Sequence, residues 1–225
     1  MALEPRAIVG SILVLAPAAG VLAWSYGRYD GSFRDNVVFL HLTGGMALGL
    51  VVAIILSFLP AEPAFLVAFS VLPAVAIGAA ANRRKWQGIP HAVFNGGALG
   101  LGCLLMTAFV LLRDRFEAIA WTPALRVLVV ATVLVLLGAA LGWHVGAGVL
   151  ARTPFRGIGR AIVIALPGGF FVYEFLFGEA WLWAVLGLLY AGGVYAHADR
   201  TVLPRGVGEN ERRKRRRERR DRVET

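Results

Sequence analysis

The chain has 225 residues, 58% of them hydrophobic and 16% charged, with 27 glycines, six tryptophans and a formal net charge of +9. The apolar share exceeds the roughly 45–50% of soluble globular domains and falls in long blocks, which excludes an ordinary water-soluble domain and reads as one all-α, polytopic membrane helix bundle. Cys103 is the only cysteine and stands in an apolar run, so an intrachain disulfide and a C-x-x-C metal or redox site are excluded as well.

A helix needs about 20 apolar residues to cross a hydrocarbon layer about 30 Å thick, because its backbone must satisfy its own hydrogen bonds there. Seven blocks approach or exceed that length, at about 7–26, 37–59, 64–82, 91–112, 124–148, 160–177 and 179–197. The first could be read as a signal peptide, but Arg6 is balanced by Glu4, the run is long and no small-x-small cleavage site ends it, so it is kept as a helix. Seven spans put Arg28 and Arg34 (against Asp30 and Asp35), then Arg83, Arg84 and Lys85, then Arg152, Arg156 and Arg160, and finally the C-terminal tail, on one side. The other side receives Glu62, the mixed run from Arg113 to Glu117, and Glu179. Excess Lys and Arg beside spans marks the inner face, which predicts a protein of the cytoplasmic membrane with its N-terminus outside and its C-terminus inside. Residues 1–203 form the membrane domain in this reading and 204–225 a basic tail, disordered or an exposed helix. Only Gly178 and Glu179 separate the last two blocks, and Pro167-Gly168-Gly169 leaves open a sixth segment that is bent, broken or re-entrant.

Glycine recurs at four-residue spacing in three blocks: Gly45 and Gly49, Gly96 and Gly100, and Gly138, Gly142 and Gly146. Such spacing clears one helix face so that another backbone can approach, within one bundle or between copies. Aligning Gly44 with Gly96 sets GGMALGLVVAIILSFL over GGALGLGCLLMTAFVL, so duplication of a two-helix unit stands open beside plain likeness of composition.

Polar groups inside the blocks are few, and each is costly unless paired or wet. Glu174, after Tyr173 in the sixth block, shares a predicted depth with Arg126, which enters the fifth from the same side. The pair reads either as a salt bridge or as an ion or substrate handle. His41, His91, His144 and His197 all map toward the inner side and are weak candidates for a metal site, since no H-E-x-x-H or other fixed ligand spacing supports one and interfacial placement is the expected account of them. Asn95, ahead of a glycine run, is expected to bond a neighbouring helix. No G-x-S-x-G elbow, Walker loop, paired-aspartate motif or dinucleotide fingerprint is present. Lys85 and Lys214 are the only lysines and neither lies in a span, so a retinal Schiff base is disfavoured and no cofactor is expected.

Pro204 to Glu209 reads as a breaker-rich hinge. The 17 residues beyond position 208 hold nine basic and five acidic side chains, with Arg212, Arg213, Lys214, Arg215, Arg216 and Arg217 in one run. Anionic lipid headgroups are the expected partners of this run and of Arg83, Arg84 and Lys85. Nucleic acid is disfavoured by the interspersed acids and the lack of stacking aromatics, while a second copy or another membrane protein stays open. The functional expectation is a small-molecule or ion transporter or channel, with Glu174, Arg126, Asn95 and Tyr173 on its pathway. A non-catalytic membrane subunit or assembly factor is the alternative, and an intramembrane lipid-modifying enzyme a second one.

Overall fold

Hydrocarbon offers backbone N–H and C=O groups no water, so each apolar block must close its hydrogen bonds on itself as a helix. The computed structural model describes residues 5–29, 33–59, 62–113, 121–177 and 181–208. Within them stand seven helices: α1 Pro5–Val21, α2 Asp35–Ser57, α3 Glu62–Ala81, α4 Ala92–Leu112, α5 Trp121–Leu150, α6 Pro154–Phe177 and α7 Trp181–Thr201. Short 3₁₀ turns punctuate them, and no strand occurs among the described residues. All seven are long and apolar enough to cross a membrane, which makes the chain a multi-pass membrane protein by length and composition.

The helices outrun the apolar blocks where charged residues continue a helical turn. α6 begins at Pro154, where the missing N–H of proline would have had no partner anyway. The Thr153 carbonyl accepts from the N–H groups of Arg156 and Gly157 there. Pro167 does not break the segment: α6 runs through it. Three residues before the proline, next to the Val163 carbonyl that lacks its usual helical donor, the Tyr190 hydroxyl of α7 donates to the Ile164 carbonyl at 2.8 Å.

At the centre, α4 is flanked by α2 and α5, and every residue from Ala92 to Leu105 is buried. Glycine makes both seams. A Cβ added at Gly96 would lie 2.4 Å from the Gly142 carbonyl oxygen, at Gly100 2.1 Å from that of Gly138, and at Gly146 2.4 Å from that of Ala92. On the other side, a Cβ at Gly45 would lie 2.2 Å from the Leu99 oxygen and one at Gly49 2.1 Å from that of Cys103. The Thr107 hydroxyl crosses this second seam, within 2.9 Å of the Cys103 carbonyl and 3.3 Å of Gly49. The recurring glycines therefore face helices of the same chain, and backbones meet where side chains would otherwise stand.

The antiparallel course gathers most of the described arginines at one end of the bundle. The C-terminal ends of α1, α3, α5 and α7 and the N-terminal ends of α2, α4 and α6 meet there, as the pairing of Arg28 with Asp199, the contact of His41 with Trp86 and the bond from Gly88 N–H to the Val149 carbonyl attest. The opposite end is closed by aromatic contacts, Phe65 against Tyr173 and Phe177, and Phe175 against Trp181.

After α7 the chain does not swing free. Leu203–Gly206 forms a 3₁₀ turn in which Leu203 and Gly206 are buried, as are Val202 and Val207 around it. A Cβ at Gly206 would lie 2.8 Å from the Phe94 ring. The first part of the expected hinge is thus seated on α4, because its apolar residues find a buried surface at the helix end. The tail from position 209, with Arg212, Arg213, Lys214, Arg215, Arg216 and Arg217, lies outside the described residues, as do Asp30, Glu179 and the run from Asp114 to Glu117.

Candidate functional site

At the basic end the last turn of the first span widens. The Gly27 N–H reaches back to the Leu22 carbonyl, five residues earlier, and Leu22–Tyr26 forms a π-helical turn. The extra residue per turn points two consecutive side chains inward, and both Ser25 and Tyr26 are buried. The Tyr26 hydroxyl donates to the Phe94 carbonyl at 2.8 Å. Ser25 donates to Asp199 Oδ1 at 2.9 Å, so the 2.5 Å contact between Ser25 and Tyr195 is a bond donated by the tyrosine. Arg28 completes the cluster, its Nη2 donating to both carboxylate oxygens of Asp199.

This network ties the first helix to the last. Asp199 is 7% exposed at its side chain and Arg28 43%, so a carboxylate withdrawn from water is matched by a guanidinium that keeps one side wet. The guanidinium also lies 5.3 Å from the Trp24 ring centroid and 5.9 Å from that of Tyr29. Tyr195 in turn packs its ring, tilted and 5.4 Å away, on Trp143, which is fully buried. A carboxylate held this way is an anchor between helices: its negative charge already has a cation and a hydroxyl. From the sequence Arg28 falls in a connection, and Asp199 is not singled out at all. Both gave a signal as charges at the ends of two spans on the same side, but nothing in the sequence paired them.

The residues singled out from the sequence scatter. Arg126 and Glu174 are not brought together. Arg126 lies 5.8 Å from the Phe175 ring and 5.7 Å from that of Trp181, and no ion pair reaches Glu174 among the described residues. The reason is helical phase: Glu174 shares its face of α6 with the exposed Val163, Leu166 and Phe177, whereas Phe175 points into the bundle. Half-buried on the outer face in the last turn of α6, Glu174 is placed to reach the headgroup layer. Tyr173 packs at 5.4 Å on Phe65 and 4.7 Å on Phe177.

The four histidines share an end but not a point. His41 is buried, with Nδ1 2.5 Å from the Val37 carbonyl and its ring 4.6 Å from Trp86. His144 is half-buried late in α5, and His91 is exposed at the start of α4. Among the described residues no group of three or more His, Cys, Asp or Glu side chains could hold a metal ion.

Asn95 departs from expectation in a more informative way. It is 6% exposed, yet its carboxamide makes no hydrogen bond to another helix or to any described residue. It lines a cavity of about 200 Å³ with Phe33, Arg34, Val37, Trp86, Ile89, His91 and Ala92. A wider groove between α1, α5 and α7, lined by Pro17, Gly20, Trp24, Leu128, Leu136 and Tyr195 among others, is apolar apart from Thr132 and Tyr195. The Thr132 hydroxyl is satisfied by the Leu128 carbonyl and that of Tyr195 by Ser25.

No family model, curated protein or solved structure matches this chain.

Proposed function

We propose that this chain is a non-catalytic, non-conducting membrane subunit, a bundle that holds its basic end and its outer faces in place for lipid and for other membrane proteins. The observation that carries the reading is the backbone-to-backbone closure of α2, α4 and α5. Carriers place substrate and coupling ions near the midplane, between helices interrupted there. Here the corresponding helices run unbroken, and at Gly49, Gly100 and Gly142 there is no room for a methyl group, still less for an ion with its water.

Transport, the expectation built on Glu174, is the reading to set against this one. The protein would be reconstituted in liposomes with an imposed pH gradient, and the wild type compared with Glu174→Gln across a panel of ions and polar metabolites. The expected result is no gradient-dependent flux above protein-free liposomes. Flux abolished by the substitution with folding intact would overturn the proposal in favour of transport. A photo-crosslinking side chain at Leu189, which is 68% exposed on α7 beside the uncovered Gly192 and Gly193, should give one discrete protein adduct in native membranes. Adducts to lipid alone would remove the subunit part of the reading.

The arginine excess supports an orientation with the basic end in the cytoplasm, the N-terminus outside and the C-terminus inside. Cys103 is buried and the only native thiol, so single cysteines report cleanly. Arg156→Cys should be labelled from the cytoplasmic side and Glu62→Cys from the outside by a membrane-impermeant maleimide. Labelling of both from one side would exclude the topology.

A further inference from the structure

We propose that the cavity between the start of α2, the α3–α4 connection and the start of α4 binds a phosphate group, carried either by a membrane lipid or by a small free phosphate compound. The proposal goes beyond the subunit reading and does not depend on it.

The argument begins with Asn95. A carboxamide has two donors and two acceptor lone pairs, and burying them without partners costs about 1–3 kcal/mol. Asn95 is only 6% exposed, where leucine or alanine would fill the same helix position, and its carboxamide escapes that cost only through the opening on the cavity. Its side chain lines the cavity, so the partner it lacks inside the protein is one that enters from there.

The surroundings set the sign of that partner's charge. Both bordering helices begin here, α2 at Asp35 and α4 at Ala92, so both turn the positive ends of their dipoles this way, although the Ala92 and Val93 N–H groups of α4 are already taken by the Ile89 and Pro90 carbonyls. Arg34 precedes α2 and brings a guanidinium to the rim, and His91 precedes α4 and brings an imidazole. Asp35, in the first turn of α2 and exposed, is the acid nearest in sequence and does not line the cavity. Arg83 and Arg84 stand on the connection that forms the third wall. An oxyanion with several acceptor oxygens answers the amide donors of Asn95, the fork of Arg34 and the positive helix ends together, and phosphate offers more such oxygens than a carboxylate.

The walls limit what is attached to the phosphate. Trp86 is fixed between the His41 ring at 4.6 Å and the Arg83 guanidinium at 5.4 Å, and with Phe33, Val37 and Ile89 it lines the rest of the cavity with apolar surface. About 200 Å³ is below the 300–1,000 Å³ of sites that enclose a whole drug-sized ligand. It holds a phosphate and the few atoms joined to it, with any longer apolar portion left outside.

The test uses the full-length protein in detergent micelles, with binding read by native mass spectrometry and by thermal shift. Probes are short-chain phosphatidic acid, the corresponding diacylglycerol, and inorganic phosphate. Wild type should bind phosphatidic acid and not diacylglycerol. Asn95→Leu and Arg34→Gln should each weaken binding about tenfold, as loss of one good charged or buried hydrogen-bonding group does. Arg156→Gln, at the same end but outside the cavity, should leave binding unchanged. If inorganic phosphate competes with the lipid and depends on the same two residues, the site takes free phosphate compounds; if it does not, the apolar portion is part of the ligand. Both outcomes support the phosphate site. Equal binding of diacylglycerol, or lipid binding that follows Arg156 and ignores Arg34 and Asn95, would overturn it. Should Asn95→Leu fail to fold, Arg34→Gln decides alone, because Arg34 is exposed and outside the core.

Discussion

Gly142→Ala should cost this protein about 3 kcal/mol of stability or prevent its folding, measured by unfolding in mixed detergent micelles, although it adds one methyl group to an apolar helix. The added Cβ would lie 2.1 Å from the Gly96 carbonyl oxygen, 2.7 Å from its carbon and 2.8 Å from Gly97 Cα. All three are backbone atoms, so no rotamer change relieves the clash and α4 must move as a unit. That helix is also held by α2 through Gly45 and Gly49, so displacement on one seam disturbs the other. Gly192→Ala on α7 is the matched control. A Cβ there meets nothing within 4 Å, and the gain in helix propensity should leave the protein unchanged or more stable by up to about 1 kcal/mol. Equal effects at the two sites would show that the seam tolerates separation.

The second large effect is an asymmetry between the two partners of the Arg28–Asp199 pair. Arg28→Gln leaves a carboxylate that is 7% exposed with only Ser25 as donor, and should destabilise by about 3 kcal/mol, the low end for breaking a buried pair because the arginine side is partly wet. Asp199→Asn removes the charge but keeps an oxygen for Ser25, and a half-exposed guanidinium can turn to water or headgroups, so the loss should be about 1 kcal/mol. The double substitution should cost less than the sum of the two. Unfolding of the three variants in one detergent decides it. If Asp199→Asn proves as damaging as Arg28→Gln, the ion pair itself, and not relief of a buried charge, is the main contribution.

What the sequence made legible follows from what apolar blocks and charges encode. Seven spans could be counted because hydrocarbon enforces one conformation on each, and the glycine spacings could be read because a period of four marks one helix face. The continuity of α6 through Pro167 could not be read, since what a proline does to a helix depends on the neighbours packed beside it, here α7 with Tyr190 bonded to Ile164. The Arg28–Asp199 anchor was hidden for a similar reason: its partners are 171 positions apart and a π-helical turn sets the phase that brings Ser25 beside them. Arg126 and Glu174 looked paired because depth can be estimated from position along a span, whereas rotation about the helix axis is fixed by packing. Asn95 was assigned a bond to a neighbouring helix on the general rule for buried amides, and the cavity beside it arises from a 3₁₀ turn and two helix starts that no local pattern announces.

The long separation of Arg28 from Asp199 also bears on how the protein is made. Arg28 leaves the ribosome 171 residues ahead of its carboxylate, roughly 10 to 30 seconds at ordinary rates of synthesis. Through that interval the first helix lies in the bilayer without its anchor while five others are inserted. The bundle ties its first helix to its last at the basic end only when the seventh helix arrives, so a chain cut short before Asp199 holds six spans with that end unfastened.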